Sequence, residues 1–298
     1  MNHLVSILIV NYKTENLTLE LVESIQRYLK RYNYEILIFD NSPQLSNKLS
    51  QLSNLNVKVF FNGNNIGFVR ANNFLFHKAK GDLIFLINSD VILIDNSFER
   101  MIDFLLNHDK VGVIGPMLLN ADKTYQVSFY KFPTIFLLIK EMIFLQKKDP
   151  YAYKTDINQV QFCEVIKGAC LGFKKNTLPQ DYLFDERFEM YSEEVDLCMR
   201  FFKSGYKNLY FPDCKVIHYG GMSSNIDINS LKYSTFNYFR SKLLFFKKHY
   251  SYIKYLIASI IIIASLFERL ILFTILMKVK QVRIFGYTLL RLIVSSAK

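Results

Sequence analysis

The sequence predicts an α/β protein built on a mostly parallel sheet that is covered by helices. Apolar runs rich in Val, Ile, Leu and Phe alternate over residues 4–114 with segments whose apolar residues recur at helical spacing. Continuous apolar runs are typical of strands buried on both faces of a parallel sheet. Polar clusters follow several of these runs, as expected where strands end at a ligand-binding edge.

The first strand is predicted at residues 4–10, and Leu17, Leu21, Ile25 and Leu29 then repeat on one side of a helix. Turn-forming residues separate the elements that follow. Further strands are predicted at residues 35–39, 57–61, 83–87 and 111–114, with helices at 68–80 and 97–107.

The second half is more mixed. Strands are predicted at residues 161–166, 171–174, 207–211 and 215–217, with a helix at 193–203 and a basic amphipathic helix at 231–250. We therefore expect one large α/β domain at residues 1–230 and a helical extension at residues 231–298.

The net charge of +11 lies in the extension, because residues 231–298 contain 12 Lys and Arg and a single acid. The same region contains a long apolar segment at 252–267, interrupted at Glu268 and Arg269. Basic and apolar residues together favour an anionic membrane surface over a nucleic acid. Since no uninterrupted run reaches about 18 apolar residues, an interfacial or re-entrant helix is expected. A buried C-terminal helix or a dimer contact is the alternative.

The four cysteines form no C-x-x-C pair, and no charged leader precedes the first strand. Reduced thiols, a cytosolic location and no structural zinc are therefore expected.

Residues at three places in the chain could carry chemistry. Asp90 follows a predicted buried strand two residues after Asn88, so both side chains can face one side and Asp90 could bind Mg²⁺ or Mn²⁺; strand termination is the alternative. Glu193 and Glu194 could supply a general base, or could simply favour the start of a helix. His218 could be a metal ligand or an ordinary polar residue.

The order of these segments resembles the bacterial family 2 glycosyltransferases of the GT-A fold, in particular their rhamnosyltransferase-like branch. The resemblance runs from residue 5 to about residue 224. It is carried by residues 5–12 (VSILIVNY), 39–42 (FDNS), 65–73 (NIGFVRANN), 86–90 (LINSD), 167–169 (KGA), 184–188 (FDERF), 191–198 (YSEEVDLC) and 218–221 (HYGG).

The resemblance implies a role for each matching position. Asp90 and His218 would bind Mg²⁺ or Mn²⁺, Glu194 would be the catalytic base, and Glu193 could share that role. The nucleotide-sugar donor would be held by Asn11, Tyr12, Asp40, Asn65, Gly67, Arg70, Asn73, Asn88 and Ser89. Asn88 replaces an Asp of the family's D-x-D pattern and Glu194 replaces its usual Asp.

The implied function is metal-dependent transfer of a sugar, with inversion, to a hydroxyl of a cell-surface polysaccharide precursor. dTDP-rhamnose is the first expected donor, followed by UDP-hexoses or UDP-galactofuranose. The acceptor would be an oligosaccharide or a lipid-linked glycan, and the protein would be cytoplasmic and peripheral to the inner face of the plasma membrane.

Two other classes of protein remain open. A nucleotidyltransferase or an NAD enzyme could use a similar sheet, although the first turn lacks the G-x-G-x-x-G of dinucleotide sites. A non-catalytic scaffold that binds nucleotide sugars is the other alternative.

Overall fold

The protein is represented by a computed structural model, which describes residues 3–52, 56–143, 150–153, 155–220 and 228–296. The chain divides into two compact units, each made of three segments. The first unit comprises Met1–Lys131, Tyr153–Glu186 and Glu194–Ser223. The second comprises Phe132–Ala152, Arg187–Glu193 and Ser224–Lys298. The C-terminal extension expected at 231–298 therefore shares its unit with two earlier segments.

The regular elements alternate as the sequence predicts, and the α/β class is confirmed. The strands are β1 (Leu4–Asn11), β2 (Asn33–Asp40), β3 (Val57–Phe61), β4 (Leu83–Ile87), β5 (Val91–Leu93), β6 (Val111–Leu119), β7 (Tyr125–Gln126), β8 (Phe129–Tyr130), β9 (Gln161–Cys163), β10 (Val165–Ile166), β11 (Cys170–Lys174) and β12 (Lys207–His218). The helices are α1 (Glu15–Tyr28), α2 (Asn47–Ser50), α3 (Phe68–Lys78), α4 (Ser97–Asn107), α5 (Ile135–Ile143), α6 (Glu193–Lys203), α7 (Ile228–His249), α8 (Tyr252–Ile275) and α9 (Val279–Ser296).

The main sheet has the order β3-β2-β1-β4-β11-β6-β12-β5. Strands β3, β2, β1 and β4 are parallel, as are β6 and β12. Strand β11 lies antiparallel between β4 and β6, and β5 is antiparallel to β12. The carboxyl ends of β1, β2 and β4 therefore lie at one edge of the sheet.

Helices cover both faces of this sheet. On one face, α1 and α4 pack on a core that includes Ile7, Ile38 and Phe85. On the other face, the ring of Phe173 on β11 packs near the rings of Phe76 on α3 and Phe201 on α6. Burial on both faces explains why the strands read as continuous apolar runs.

Two strand predictions are corrected by the structure. Residues 161–166 form two short strands, because β9 pairs with β12 whereas β10 pairs with β8. Residues 207–211 and 215–217 belong to one strand, β12, which continues past Pro212 through a register irregularity between Phe211 and Lys215. A bulge leaves the proline outside the ladder, where its missing N–H costs no hydrogen bond.

The second unit is helical and contains a buried ion pair. Lys242 of α7 lies 2.6 Å from Glu141 of α5, and the hydroxyls of Tyr151 and Tyr238 both donate to this carboxylate at 2.8 Å. Burial raises the pKa of Glu141, but the ion pair and hydrogen bonds outweigh it and hold the pKa below its ordinary value. Arg269 of α8 donates to the backbone carbonyl of Glu141. Glu141 therefore connects α5 with both α7 and α8.

Helix α8 continues through Glu268 and Arg269, where the sequence suggests an interruption. A window of 18 residues within this 24-residue helix has a mean hydropathy of 2.3, and 28% of that window is buried. By length and composition it is the single candidate membrane span in the described part of the chain. A helix tolerates Arg269 because this side chain is buried against Ser265 and the backbone of Glu141.

Candidate active site

The ends of β1 and β2 bring two predicted donor-binding residues together. In the parallel register Asn11 lies beside Asp40, and the Asn11 amide donates to the Asp40 carboxylate at 2.8 Å. Asp40 also accepts the backbone N–H groups of Ser42 and Ser46. Both side chains are fully buried. Asn11 therefore holds Asp40 in place, and its own amide is occupied by protein partners.

The first βα turn links this pair to the end of β4. The Asn11 side-chain oxygen accepts hydrogen bonds from Thr14 and Thr18, and the Thr14 hydroxyl lies 2.8 Å from the hydroxyl of Ser89. Tyr12 is half-buried beside Lys13, whose ammonium lies 5.3 Å from the tyrosine ring. Asn11, Tyr12, Asp40 and Ser89 thus belong to one edge of the sheet.

The loop after β3 is fixed to the same edge by Asn41. Its amide donates to the carbonyl of Gly67 at 3.2 Å, and its side-chain oxygen accepts the N–H of Ile66 at 3.1 Å. The Asn65 side chain accepts the N–H of Gly67. Gly67 has φ of 86°, in the region where a side chain is strained, so glycine suits this entry into α3.

Arg70 and Asn73 have different partners. Both lie on α3, and Asn73 exchanges two 2.9 Å hydrogen bonds with the backbone of Phe184. Arg70 pairs with Glu186 at 3.2 Å in an exposed position. These two residues fix residues 184–186 to α3, and no hydrogen bond described for them joins the Asn11–Asp40 pair.

The predicted metal ligands meet at the adjoining strands. Asp90 follows β4, and its carboxylate lies 3.4 Å from the Nε2 atom of His218, the last residue of β12. The other Asp90 oxygen accepts the N–H of Gly220 at 3.1 Å. Asn88, the neighbouring residue of the pattern, is partly buried. Gly221, the last residue of the HYGG segment, lies outside the described residues.

A short polar chain continues from His218. Its Nδ1 atom lies 2.6 Å from the side-chain oxygen of Gln126 on β7, which also accepts from the ammonium of Lys167 at 3.2 Å. The positive charge of Lys167 acts in turn on the carboxylate of Glu194. Lys167 therefore contacts the neighbour of the Asp90–His218 pair and acts electrostatically on the predicted base.

Glu194 lies in the first turn of α6 beside a glycine. A β-carbon built at Gly168 would lie 3.5 Å from the β-carbon of Glu194. The Tyr130 hydroxyl donates to Oε1 of Glu194, whereas Oε2 is buried with no hydrogen-bond partner among the described residues. Burial raises the pKa of Glu194, and the Tyr130 hydrogen bond, backbone N–H groups and Lys167 offset only part of the rise.

Glu193 is the first residue of α6 and is partly buried. Glu193 belongs to the second compact unit, whereas Glu194 belongs to the first. Of the two glutamates, Glu194 is thus the one that belongs to the same unit as the other predicted site residues.

Two atoms suited to a divalent cation converge at Asp90 and His218. A carboxylate oxygen and an imidazole nitrogen are both common ligands, and their 3.4 Å separation is compatible with a shared ion. In the described part of the chain, no group of three or more His, Cys, Asp or Glu side chains is arranged to hold a metal. The pair therefore fits an ion that takes its remaining ligands from a substrate or from water.

Comparison with known proteins identifies the family. The sequence profile of glycosyl transferase family 2 matches residues 6–168, more than half of the chain. The chain belongs to glycosyl transferase family 2. The match includes the Asn11–Asp40 pair, the Asn41 loop and Asp90, and it ends at Gly168.

A curated relative of this glycosyltransferase is the N-acetylglucosaminyl-diphospho-decaprenol L-rhamnosyltransferase of Mycobacterium tuberculosis, from strains H37Rv and CDC 1551. The two sequences are 26% identical over 137 residues, which is 44% of this chain and 45% of the relative. The glycosyltransferase thus matches less than half the length of that protein.

Solved structures share the fold of this glycosyltransferase. GalNAc-T7, crystallised with UDP, GalNAc and Mn²⁺, is 19% identical with a TM-score of 0.57, covering 79% of this chain and 47% of its own. S. aureus TarS is 14% identical with a TM-score of 0.52, covering 83% and 44%. The GT-A fold predicted from the sequence is therefore confirmed.

Several residues at the site carry no motif signal in the sequence. Gln126, Tyr130 and Thr14 come from short or irregular segments and contact predicted site residues only through the fold. Asn41 and Lys167 lie inside matching segments, and their position next to Asp40 and Gly168 is the signal that could have marked them.

Proposed function

We propose that this glycosyltransferase transfers a sugar from a nucleoside diphosphate donor to an acceptor hydroxyl with inversion at the anomeric carbon. The observation that carries the proposal is the arrangement of the first unit. Glu194, a buried carboxylate with a raised pKa, lies in the field of the Lys167 ammonium, and Lys167 donates to Gln126, the neighbour of the Asp90–His218 pair. Such a transfer requires a base that accepts the proton of the acceptor hydroxyl and a separate group that binds the diphosphate of the donor.

The donor proposed first is dTDP-rhamnose, and the acceptor is a hydroxyl of a cell-surface polysaccharide precursor, either an oligosaccharide or a lipid-linked glycan. The rhamnosyltransferase activity of the mycobacterial relative supports this choice. UDP-hexoses and UDP-galactofuranose are the next donors to test. Asn11, Asp40 and the Asn65–Gly67 loop would form the nucleotide side of the site.

In the proposed mechanism Glu194 takes the proton of the acceptor hydroxyl. The hydroxyl oxygen then bonds to the anomeric carbon while the bond from that carbon to the diphosphate oxygen breaks. A raised pKa suits this role, because proton transfer is most effective when the pKa of the base approaches the working pH. Tyr130 orients the carboxylate through its hydrogen bond, and Gly168 leaves room beside it for a substrate.

Asp90 and His218 would hold Mg²⁺ or Mn²⁺, which supplies charge neutralisation at the leaving diphosphate. Because Asn88 is neutral, the protein contributes a single carboxylate at the D-x-D position, so we expect modest affinity for the metal in the absence of nucleotide.

Donor hydrolysis tests this proposal. Purified protein is incubated with dTDP-rhamnose and with a set of UDP-sugars, with and without Mn²⁺, beside Asp90→Ala and Glu194→Ala. Arg31→Ala, at an exposed ion pair with Asp103, is a matched control. Metal-dependent turnover of one donor that both site variants lose supports the proposal. Nucleotide binding without turnover, even with acceptor, would favour the scaffold alternative, and pyrophosphate release would favour a nucleotidyltransferase.

We further propose that the second unit lies on the anionic inner face of the plasma membrane, with α8 parallel to the surface. One side of α8 is buried and includes Ser265 and Arg269. The opposite side presents large exposed apolar residues at spacings of three, four or seven, which we call the apolar stripe: Ile253, Ile257, Ile260, Phe267, Ile271 and Ile275.

Charge complementarity selects the lipid. Basic side chains are exposed on α8 and in and before α9: Lys254, Lys278, Lys280, Arg283 and Arg291. A helix with one apolar side and basic neighbours binds in the plane of an anionic interface. A crossing orientation is disfavoured, since the buried Arg269 side joins α8 to the Glu141–Lys242 pair rather than to lipid.

Sedimentation with vesicles tests the surface. We expect the full chain to sediment with phosphatidylglycerol-containing vesicles, and Ile260→Asp/Ile271→Asp to stay in solution. Gln51→Asp/Gln159→Asp, which adds the same charge at exposed positions, should sediment like the unchanged protein. Failure of the full chain to sediment with anionic vesicles would contradict membrane binding. So would a dimeric unchanged protein whose stripe variant is monomeric and sediments with vesicles to the same extent.

A further inference from the structure

Both nitrogen atoms of the His218 ring have defined neighbours. The Nδ1 atom lies 2.6 Å from the side-chain oxygen of Gln126, and Nε2 lies 3.4 Å from the carboxylate of Asp90. The ring is nearly buried, so water cannot freely replace either neighbour. The position of the ring proton is therefore decided by the protein.

The orientation of the Gln126 amide follows from its other contacts. Its nitrogen donates to the side-chain oxygen of Asn120 at 2.9 Å and to the carbonyl of His218 at 3.2 Å. Its oxygen lies 3.2 Å from the ammonium of Lys167, a group that can only donate. Reversing the amide would place two donors against each other at Lys167 and two acceptors at Asn120.

The amide orientation fixes the ring. Because the Gln126 oxygen accepts, the Nδ1 atom of His218 must carry the hydrogen of that 2.6 Å bond. In the neutral ring Nε2 then carries a lone pair, which faces an acceptor-only carboxylate oxygen of Asp90. Two acceptors that face each other at this distance repel, unless a cation is shared between them.

We propose that Gln126 is a positioning residue that holds His218 in the Nδ1–H form and leaves Nε2 free to bind a divalent cation beside Asp90. The inference rests on the proposed metal-dependent transfer and adds a residue outside the family's metal-binding pattern. Lys167 supports the arrangement by fixing the Gln126 oxygen. The charge of Lys167 also offsets part of the rise in the pKa of Glu194, so one ammonium acts both on Gln126 and on the predicted base.

Two variants separate this role from a purely structural one. Gln126→Leu removes both the acceptor for Nδ1–H and the amide donors. Gln126→Glu keeps an acceptor for Nδ1–H and for Lys167 but loses the donors to Asn120 and to the His218 carbonyl. Gln161→Leu is the matched control, since among the described residues the Gln161 amide donates to backbone oxygens of residues 156 and 159 and not to His218 or Lys167.

The first readout needs neither metal nor substrate. Proton–nitrogen NMR spectra of the full chain, recorded with neutral histidines and assigned with His218→Ala, report which ring nitrogen carries the proton. We expect the Nδ1–H form in the unchanged protein, in Gln126→Glu and in Gln161→Leu, and a shift towards Nε2–H in Gln126→Leu. An Nε2–H ring in the unchanged protein, or an unchanged tautomer in Gln126→Leu, would overturn the inference.

The second readout is Mn²⁺ affinity, measured by electron paramagnetic resonance of free Mn²⁺ with dTDP present and, in a second series, with UDP. Loss of a residue that orients a metal-bound histidine typically costs about 10- to 100-fold in affinity. We expect that loss in Gln126→Leu and near-normal binding in Gln126→Glu and Gln161→Leu. Equal affinity in all variants would refute the role of Gln126. Absence of Mn²⁺ binding in the unchanged protein, with the expected tautomers, would instead refute the proposed metal dependence.

Discussion

Replacement of Glu194 by glutamine is expected to remove activity and to stabilise the protein at neutral pH. The carboxylate is buried with one oxygen unpartnered, and burial raises its pKa. The folded state therefore prefers the protonated form, and ionisation at neutral pH opposes folding. Glutamine keeps an acceptor for Tyr130 and carries no charge.

The size of the effect follows from linkage. Each unit by which the pKa of Glu194 exceeds its ordinary value of 4.5 corresponds to about 1.4 kcal/mol, or roughly 3 °C in Tm for a protein of this size. Stability that depends on the protonated form is complete below the ordinary pKa and is lost as pH rises through the raised pKa. The difference between variant and unchanged protein should therefore vanish below the ordinary pKa, grow as the pH rises, and reach its full value above the raised pKa of Glu194.

Thermal unfolding across a pH series, with donor turnover measured on the same samples, checks both halves of the prediction. Removal of a general base should lower kcat by about 10²- to 10⁴-fold. Glu193→Gln is the matched control at the adjacent position. A Glu194→Gln variant that is less stable than the unchanged protein at neutral pH would falsify the argument from burial. Loss of activity in Glu193→Gln alone would move the base to Glu193.

Three further predictions concern other buried contacts. Lys242→Met should destabilise the protein by about 3–5 kcal/mol, because it leaves the buried Glu141 carboxylate without its cation. Urea unfolding measures the loss, with Lys247→Met at an exposed position as the control. Equal unfolding midpoints for the two variants would contradict the prediction. Gly168→Ala should leave the Tm unchanged but raise KM for the acceptor, since the added methyl group meets Glu194 at an ordinary 3.5 Å; unaltered kinetics would show that substrate does not approach there. Asp40→Asn should weaken nucleotide binding by about tenfold or more, because hydrogen bonds to a charged group contribute about 1.5–3 kcal/mol. Calorimetric titration with dTDP or UDP measures the change. Unaltered affinity would exclude Asp40 from the nucleotide side of the site.

The sequence predicts the parallel half of the sheet well because its strands are continuous apolar runs with polar ends. Asn11 and Asp40 end such runs and Asp90 lies three residues after one, so their common edge could be inferred from local pattern alone. The antiparallel insertion of β11 could not, since strand direction depends on pairing between distant segments.

The rest of the site depends on tertiary contacts that leave little local signal. Gln126 lies on a two-residue strand, and it meets His218 only because β7 pairs with β6 beside β12. The break predicted near Pro212 was wrong because a bulge accommodates a proline that ordinarily ends a strand. Residues 132–152 gave no indication that they belong with the C-terminal helices, since their partners lie about 100 positions later.

The packing of α5 against α8 also bears on how this protein can be produced. Residues 132–152 are inserted between β8 and β9, yet their helix is buried by chain that begins at residue 228. A truncation that removes the C-terminal helices to improve solubility would uncover the side of α5 that packs on α8 and leave the Glu141 carboxylate without Lys242, in the middle of the remaining polypeptide. Such a shortened protein should aggregate, whereas the full chain with its apolar stripe made polar retains every partner of α5 and is the better starting point for purification.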